Sequence, residues 1–174
     1  MIYNEHTRIL NTDPRRVGSL LDALGSPEDR LWPRGWPKMR FNGPLAVGTQ
    51  GGHGPIRYTI EHYQPGHEIR FRITRPAGFI GTHAFTVEPL EDGRTRLKHV
   101  IDMTTTPAGW LLWHLAIRPL HDTVVEEAFD RASAELGSPR KTQPRPFYVR
   151  LLRLGMSWLK KLRAAAGARR RGYS

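Results

Sequence analysis

The chain has 174 residues, no cysteine and a formal net charge of +11. That length suits one domain with an appendage and a buried core, and the lack of cysteine excludes disulfides, thiolate catalysis and the common structural zinc sites. The charge is unevenly placed: acids and bases balance from Met1 to Pro139, and the whole excess lies between Arg140 and Ser174, where there is no Asp or Glu.

In chain order, residues 2 to 11 read as a strand. The opening "MIYNEHTRILNTDP" is charged and has no apolar run, so no signal peptide is expected and a cytoplasmic protein is. "TDPRRVGSLLDALG" offers Thr12 or Asp13 as N-cap, Pro14 in the first turn, an apolar stripe through Val17, Leu20, Leu21 and Leu24, and Gly25 as stop. "SPEDRLWPRGWP" allows a second short helix from Ser26 until its prolines end it. Extended segments follow at about Leu45 to Gly52, Ile56 to Tyr63, His67 to Thr74, Thr82 to Pro89 and Arg94 to Thr105, with turns at "YQPGHE" and "PLEDGRT". The glycines of "TQGGHGPIRYTIEHY" lead into a strand rather than a helix, which argues against a phosphate loop and for a hairpin with His53 and Arg57 at its edge. "PAGWLLWHLAI" falls short of the roughly 18 apolar residues that span a bilayer. A long helix from about Arg118 to Leu136 closes the domain, with Leu120, Val124, Val125, Ala128, Phe129, Ala132 and Leu136 on one face.

Segregated runs of strands and helices make this an α+β domain. The segments "IRYTIEHYQPGHEIRFRI", "GTHAFTVEPLEDGRTRLKH" and "RPLHDTVVEEAFDRASAEL", in that order, resemble the START-like, helix-grip (SRPBCC) superfamily, which includes polyketide cyclase/dehydrase and lipid-transport domains. Trp32 and Trp36 of the "WP…W" pair and the "GGHGPIRY" hairpin resemble an uncharacterised bacterial subgroup. The resemblance covers about Ile2 to Leu136 and implies a curved antiparallel sheet wrapped around a long C-terminal helix, with an apolar cavity between them.

Strand parity indicates what such a cavity would present. Ile56, Tyr58 and Ile60 share a face with Ile69, Phe71 and Ile73, with Phe85 and Val87, and with Leu97, Ile101 and Met103; Val124 and Ala128 face them from the helix. His83 and His99 have the same parity, and a three-residue loop within "LEDGR" sets Phe85 opposite His99 with His83 diagonal to it. His83, His99 and Tyr58 are therefore the candidates for anchoring a ligand or moving a proton, although a histidine on an apolar face is more often a hydrogen-bonded core residue. His53, Arg57, Trp32 and Trp36 are placed at the cavity mouth. His53, His62, His67, His83, His99, His114 and His121 show no metal-binding spacing, so no metal and no cofactor is expected. His121 and Asp122 are neighbours on a helix and should not face each other. Glu126, Glu127 and Asp130 are expected on its solvated side, with Glu127 bordering the apolar stripe.

The chain divides into a helix-grip ligand-binding domain (1–138), a Pro-rich linker (139–146) and a basic amphipathic helix with a frayed tail (147–174). In that helix Phe147, Tyr148, Leu151, Leu154 and Trp158 oppose Arg150, Arg153, Lys160 and Lys161. Such a pattern fits a helix lying on anionic lipid at the inner face of the membrane, and equally one packed on the domain or on another subunit; nucleic acid is the weaker partner. The expected function is binding, transport or sensing of a small hydrophobic or lipid-like molecule. Its alternatives are an aromatase/cyclase-type enzyme and an interaction module with a filled core.

Overall fold

The computed structural model describes residues 1–138 and 144–158. Seven antiparallel strands form one sheet in the order β1-β7-β6-β5-β4-β3-β2: β1 (Ile2–Leu10), β2 (Arg40–Phe41), β3 (Gln50–His53), β4 (Ile56–Gln64), β5 (Glu68–Arg75), β6 (Phe79–Pro89) and β7 (Thr95–Thr105). Helix α1 (Pro14–Asp22) leaves β1 through the Asp13 N-cap, whose side chain accepts from Arg15 N. "PAGWLLWHLAI" forms α2 (Pro107–Leu112) and a π-helical turn (Trp113–Ile117) that run without a break into α3 (Arg118–Glu135). A further helix, α4, covers 147–158 of the described residues.

The inner face of the sheet is apolar because strand side chains alternate. Tyr58, Ile60, Ile69, Phe71, Phe85, Val87 and Leu97 bury against Val17, Leu20 and Leu21 of α1 and Val124, Val125, Ala128, Phe129 and Ala132 of α3. Phe79, Ile101, Met103 and Trp113 make a second cluster, with Ile73 half-buried beside it.

Two expected elements differ. No helix follows Ser26; instead the Asp29 carboxylate accepts the backbone N–H groups of Gly25, Leu31 and Trp32 and folds the segment around itself. Three charge-assisted bonds from main-chain donors outweigh one marginal helical turn. Asp29→Ala should leave those donors unpaired and cost about 2 kcal/mol in urea unfolding, whereas Asp29→Asn should lose less. The strand expected from Leu45 begins only at Gln50, because the segment before it makes a turn, Thr49 N bonding Ala46 O, and only Gly48 and Thr49 reach Ile60 of β4.

Helix α3 is held to the sheet edge by a polar ladder. Alternate residues of β1 point inward, and Asn4, His6 and Arg8 meet Asp122, Glu126 and Asp130 of α3. Two strand residues advance about 6.8 Å and four helix residues about 6 Å, so the rungs stay in register. Glu126 and Asp130, expected on a solvated face, are therefore paired: Arg8 donates to both, at 2.9 and 2.8 Å.

Candidate functional site

The β3–β4 hairpin, the 35–42 segment and α4 enclose an open cleft of ≈ 1380 Å³. Glycines let the hairpin fold this tightly. A Cβ on Gly52 would stand 2.3 Å from Ile56 O, and one on Gly51 2.5 Å from the Phe41 ring. Trp36 is clamped on both sides: its Nε1 donates to Glu127 Oε2 at 2.8 Å, and the Arg153 guanidinium lies 4.2 Å over its ring. Arg145 donates to both oxygens of Glu127. Burial opposes ionisation of Glu127, but the Arg145 and Trp36 donors outweigh it and hold the carboxyl below its ordinary range. Glu127 is thus a bridge between α3, Trp36 and the segment that leads into α4.

Charge sets the character of the cleft. Lys38, Arg40, Arg57 and Arg153 line it together with Trp36, Phe41 and Met156, and among the described residues no carboxylate does. Arg57 donates from Nη1 to Gly54 O and Ile56 O, which fixes the hairpin turn. Arg153 donates from Nη2 to Gly35 O, while its Nη1 is buried without a partner. Of the expected mouth residues His53, Arg57 and Trp36 line the cleft. Trp32 does not: it is buried, donates to Pro37 O and packs its ring 4.8 Å from His53. The expected membrane-contact residues divide, since Arg150 and Trp158 are exposed whereas Arg153 is taken up by Trp36; Lys160 and Lys161 lie outside the described residues.

The residues expected inside pack on one another. Tyr58, Ile60, Ile69, Phe71, His83, Phe85, Val87, Leu97, His99, Ile101, Met103, Val124 and Ala128 are buried, Ile56 and Ile73 half-buried, and none of them lines the cleft. The β6–β7 register pairs Phe85 with His99 and His83 with Ile101. From the cleft inward, polar rings form a file: His53 to Tyr58 at 5.9 Å, Tyr58 to His83 at 5.1 Å, His83 to His99 at 5.6 Å and His99 to His121 at 5.0 Å. Tyr58 Oη, His83 Nε2, His99 Nδ1 and both His121 nitrogens are buried without hydrogen-bond partners. Burial, reinforced by the neighbouring imidazoles, pushes His83 down to about 3 and His99 well below its ordinary value; burial lowers His53 to about 4. Burial pushes the Tyr58 phenol up. These imidazoles are neutral at physiological pH.

At the end of the file His6, His121 and Asp122 converge, with one ligand atom from each lying within 4.8 Å of the others. Helical neighbours His121 and Asp122 do come together, Nδ1 to Oδ1 at 3.5 Å, because both side chains lean toward β1 rather than along the helix. Burial opposes a charge on His6, but Asp122 and Glu126 outweigh it and raise the imidazole to about 9. His6 escaped the sequence reading. Its signal was the polar alternation Asn4, His6, Arg8 facing acids four residues apart, Asp122, Glu126 and Asp130. Likewise Lys38, Arg40 and Phe41, a basic and aromatic run ahead of the hairpin, announced the cleft.

A protein of Thermobifida fusca superposes with a TM-score of 0.62 at 11% identity, over 82% of this chain and 100% of that one. A protein of Nitrosospira multiformis superposes with a TM-score of 0.60 at 13% identity, over 78% and 96% of the two chains. Norcoclaurine synthase of Thalictrum flavum, solved in complex with dopamine and hydroxybenzaldehyde, superposes with a TM-score of 0.57 at 13% identity, over 80% and 89%. The chain has the helix-grip fold. At these identities the likeness is one of fold, and function rests on the site. No protein-family model matches the helix-grip chain, and no curated protein matches it in sequence. Among its described residues no helix is long and apolar enough to cross a membrane.

Proposed function

We propose that this protein binds a small amphiphilic molecule with an acidic head group in the cleft between the β3–β4 hairpin and α4. The single observation that carries this reading is the composition of the cleft: four basic side chains, aromatic and thioether surface from Trp36, Phe41 and Met156, and, among the described residues, no carboxylate. A bound carboxylate or phosphate offsets the unopposed charge of these four side chains through charge-assisted hydrogen bonds. The apolar part of the molecule lies on Trp36 and Phe41. Tyr58, His83 and His99 stand behind this site and do not touch the ligand, which favours binding over catalysis of the aromatase/cyclase type.

A dansylated fatty acid and its neutral methyl ester test this reading. The acid should bind ten- to a hundredfold tighter than the ester, the range of a charge-assisted hydrogen bond. Arg153→Ala and Arg40→Ala should each reduce that preference. Equal binding of acid and ester, or binding of neither, overturns it.

The outer face of α4 carries a second activity, attachment to an anionic membrane surface. Helix α4 docks through Val149, Leu152 and Arg153 and leaves Phe147, Leu151, Leu154 and Trp158 exposed. Tyr148 Oη donates to Leu115 O, and Leu115 is exposed, as are Trp110 and Leu111 earlier in the same helical run. Exposed apolar side chains on α4, in the part of the chain that holds the whole positive excess, fit lipid of opposite charge.

A further inference from the structure

The β1–α3 ladder changes character at one rung. Arg8 bridges two carboxylates, but at the neighbouring rung two imidazoles and one carboxylate converge, a donor set of nitrogen and oxygen that suits zinc and its neighbours in the first transition row. The spacing agrees. With metal–ligand bonds of about 2.0–2.1 Å, adjacent donors of a tetrahedral ion are separated by roughly 3.3 Å. Asp122 Oδ1 lies 3.1 Å from His6 Nε2 and 3.5 Å from His121 Nδ1. An ion entering this triangle needs sub-ångström adjustment along those two edges.

The surroundings also match what a metal site requires. The other nitrogen of His6, Nδ1, is 2.8 Å from Glu126 Oε1, the carboxylate–histidine arrangement that fixes the ring of a ligating imidazole. Arg8 in turn holds Glu126 through Oε2, and Arg118 approaches the far oxygen of Asp122, Oδ2, at 3.5 Å, leaving Oδ1 turned to the imidazoles. His121 supplies the independent sign of a missing partner: its Nε2 is shielded from solvent with nothing to bond, and its Nδ1 has only Asp122 Oδ1, at the long distance of 3.5 Å. Asn4 lies beside the same carboxylate, donating to Asp122 Oδ1 at 3.1 Å, and its own buried Oδ1 is unpartnered. A buried polar atom without a partner is uncommon in a folded chain, and several at one rung call for a common cause.

We propose that His6 Nε2, an imidazole nitrogen of His121 and Asp122 Oδ1 bind one divalent transition-metal ion, zinc by preference, with Glu126 orienting His6. The ion pins the edge strand β1 to α3 and does not belong to the ligand cleft, from which the file of rings separates it.

Titration calorimetry of the untagged, chelator-treated protein with zinc chloride, alongside cobalt(II) absorption, tests the assignment. Zinc should bind at one ion per chain and raise the melting temperature. Cobalt should give the visible bands of a four- or five-coordinate site with imidazole ligands. His121→Ala and Asp122→Asn should each weaken zinc at least tenfold, and Glu126→Gln, which touches no metal ligand atom except through His6, by ten- to a hundredfold. His62→Ala, on an exposed position of β4, should change nothing. Circular dichroism establishes that each variant is folded. Absence of zinc binding to the wild-type chain overturns the proposal, as does binding that Asp122→Asn and Glu126→Gln leave intact, since ions held by surface histidines elsewhere would behave that way.

Discussion

Lowering the pH from 7 to 5 is expected to remove about 2 kcal/mol of folding stability through His83, with His99 acting in the same direction. In the unfolded chain each imidazole takes up a proton near its ordinary value of about 6.5. In the folded protein His83 does so only near 3, and His99 is also held well below the ordinary value. Between those limits the unfolded state binds more protons, so stability is complete above about 6.5 and falls as the pH drops toward the folded values, by about 1.4 kcal/mol per unit for His83. His53 adds to the slope over the same window down to about 4, by less because its ring is only half-buried. Against a domain stability of about 5–15 kcal/mol a loss of this size is readily measured. Urea midpoints at pH 7, 6 and 5 read this out. His83→Leu and His99→Leu should each flatten the profile by about one proton, and at pH 7 each should be neutral or stabilising, because an unpartnered buried nitrogen is exchanged for methyl groups. A midpoint that stays level from pH 7 to 5 would mean that these rings are solvated in the folded protein.

The same rings show what the sequence could and could not convey. Alternation alone placed His83 and His99 on the inner face, and the short "LEDGR" loop fixed their register against Phe85 and Ile101, because a hairpin with a known loop has one register that keeps every apolar side chain inward. The cleft was half legible for the same reason. His53 and Arg57 belong to that regular hairpin, but Arg153 joins them from 96 residues further along the chain than Arg57, and no local pattern encodes such an approach. The helix expected after Ser26 failed through Asp29, whose single carboxylate collects three main-chain donors; propensity scores the residue as a helix-start acid and does not see its partners. The convergence of His6 with His121 and Asp122 needed a strand and a helix more than 110 residues apart to lie side by side. Only the packing of α3 on β1 settles that.

Replacing Phe147, Leu154 and Trp158 together by glutamate should abolish attachment to vesicles of phosphatidylserine and phosphatidylcholine while leaving thermal stability within about 0.5 kcal/mol of the parent, since all three side chains face solvent. Each apolar side chain that leaves water for the interface contributes about 1.5–3 kcal/mol when fully buried, and each basic residue near the anionic surface about 1 kcal/mol. Reversing three apolar contacts into acids therefore costs several orders of magnitude in partition coefficient. Trp158→Ala alone should weaken binding by about tenfold, and raising the salt from 0.1 to 1 M, which shortens the screening length from about 10 to about 3 Å, should weaken the parent without releasing it fully. Vesicles of phosphatidylcholine alone should retain little protein. Point variants are the right instruments here, because deleting everything after 138 also removes the Arg145–Glu127 pair, the buried Val149 and the Arg153–Trp36 stack, and so should destabilise the domain and open the cleft. Vesicle sedimentation decides the matter together with light scattering. If the parent ignores anionic vesicles and instead forms a dimer that the triple glutamate variant dissociates, the exposed stripe of α4 is a subunit interface and the membrane reading fails.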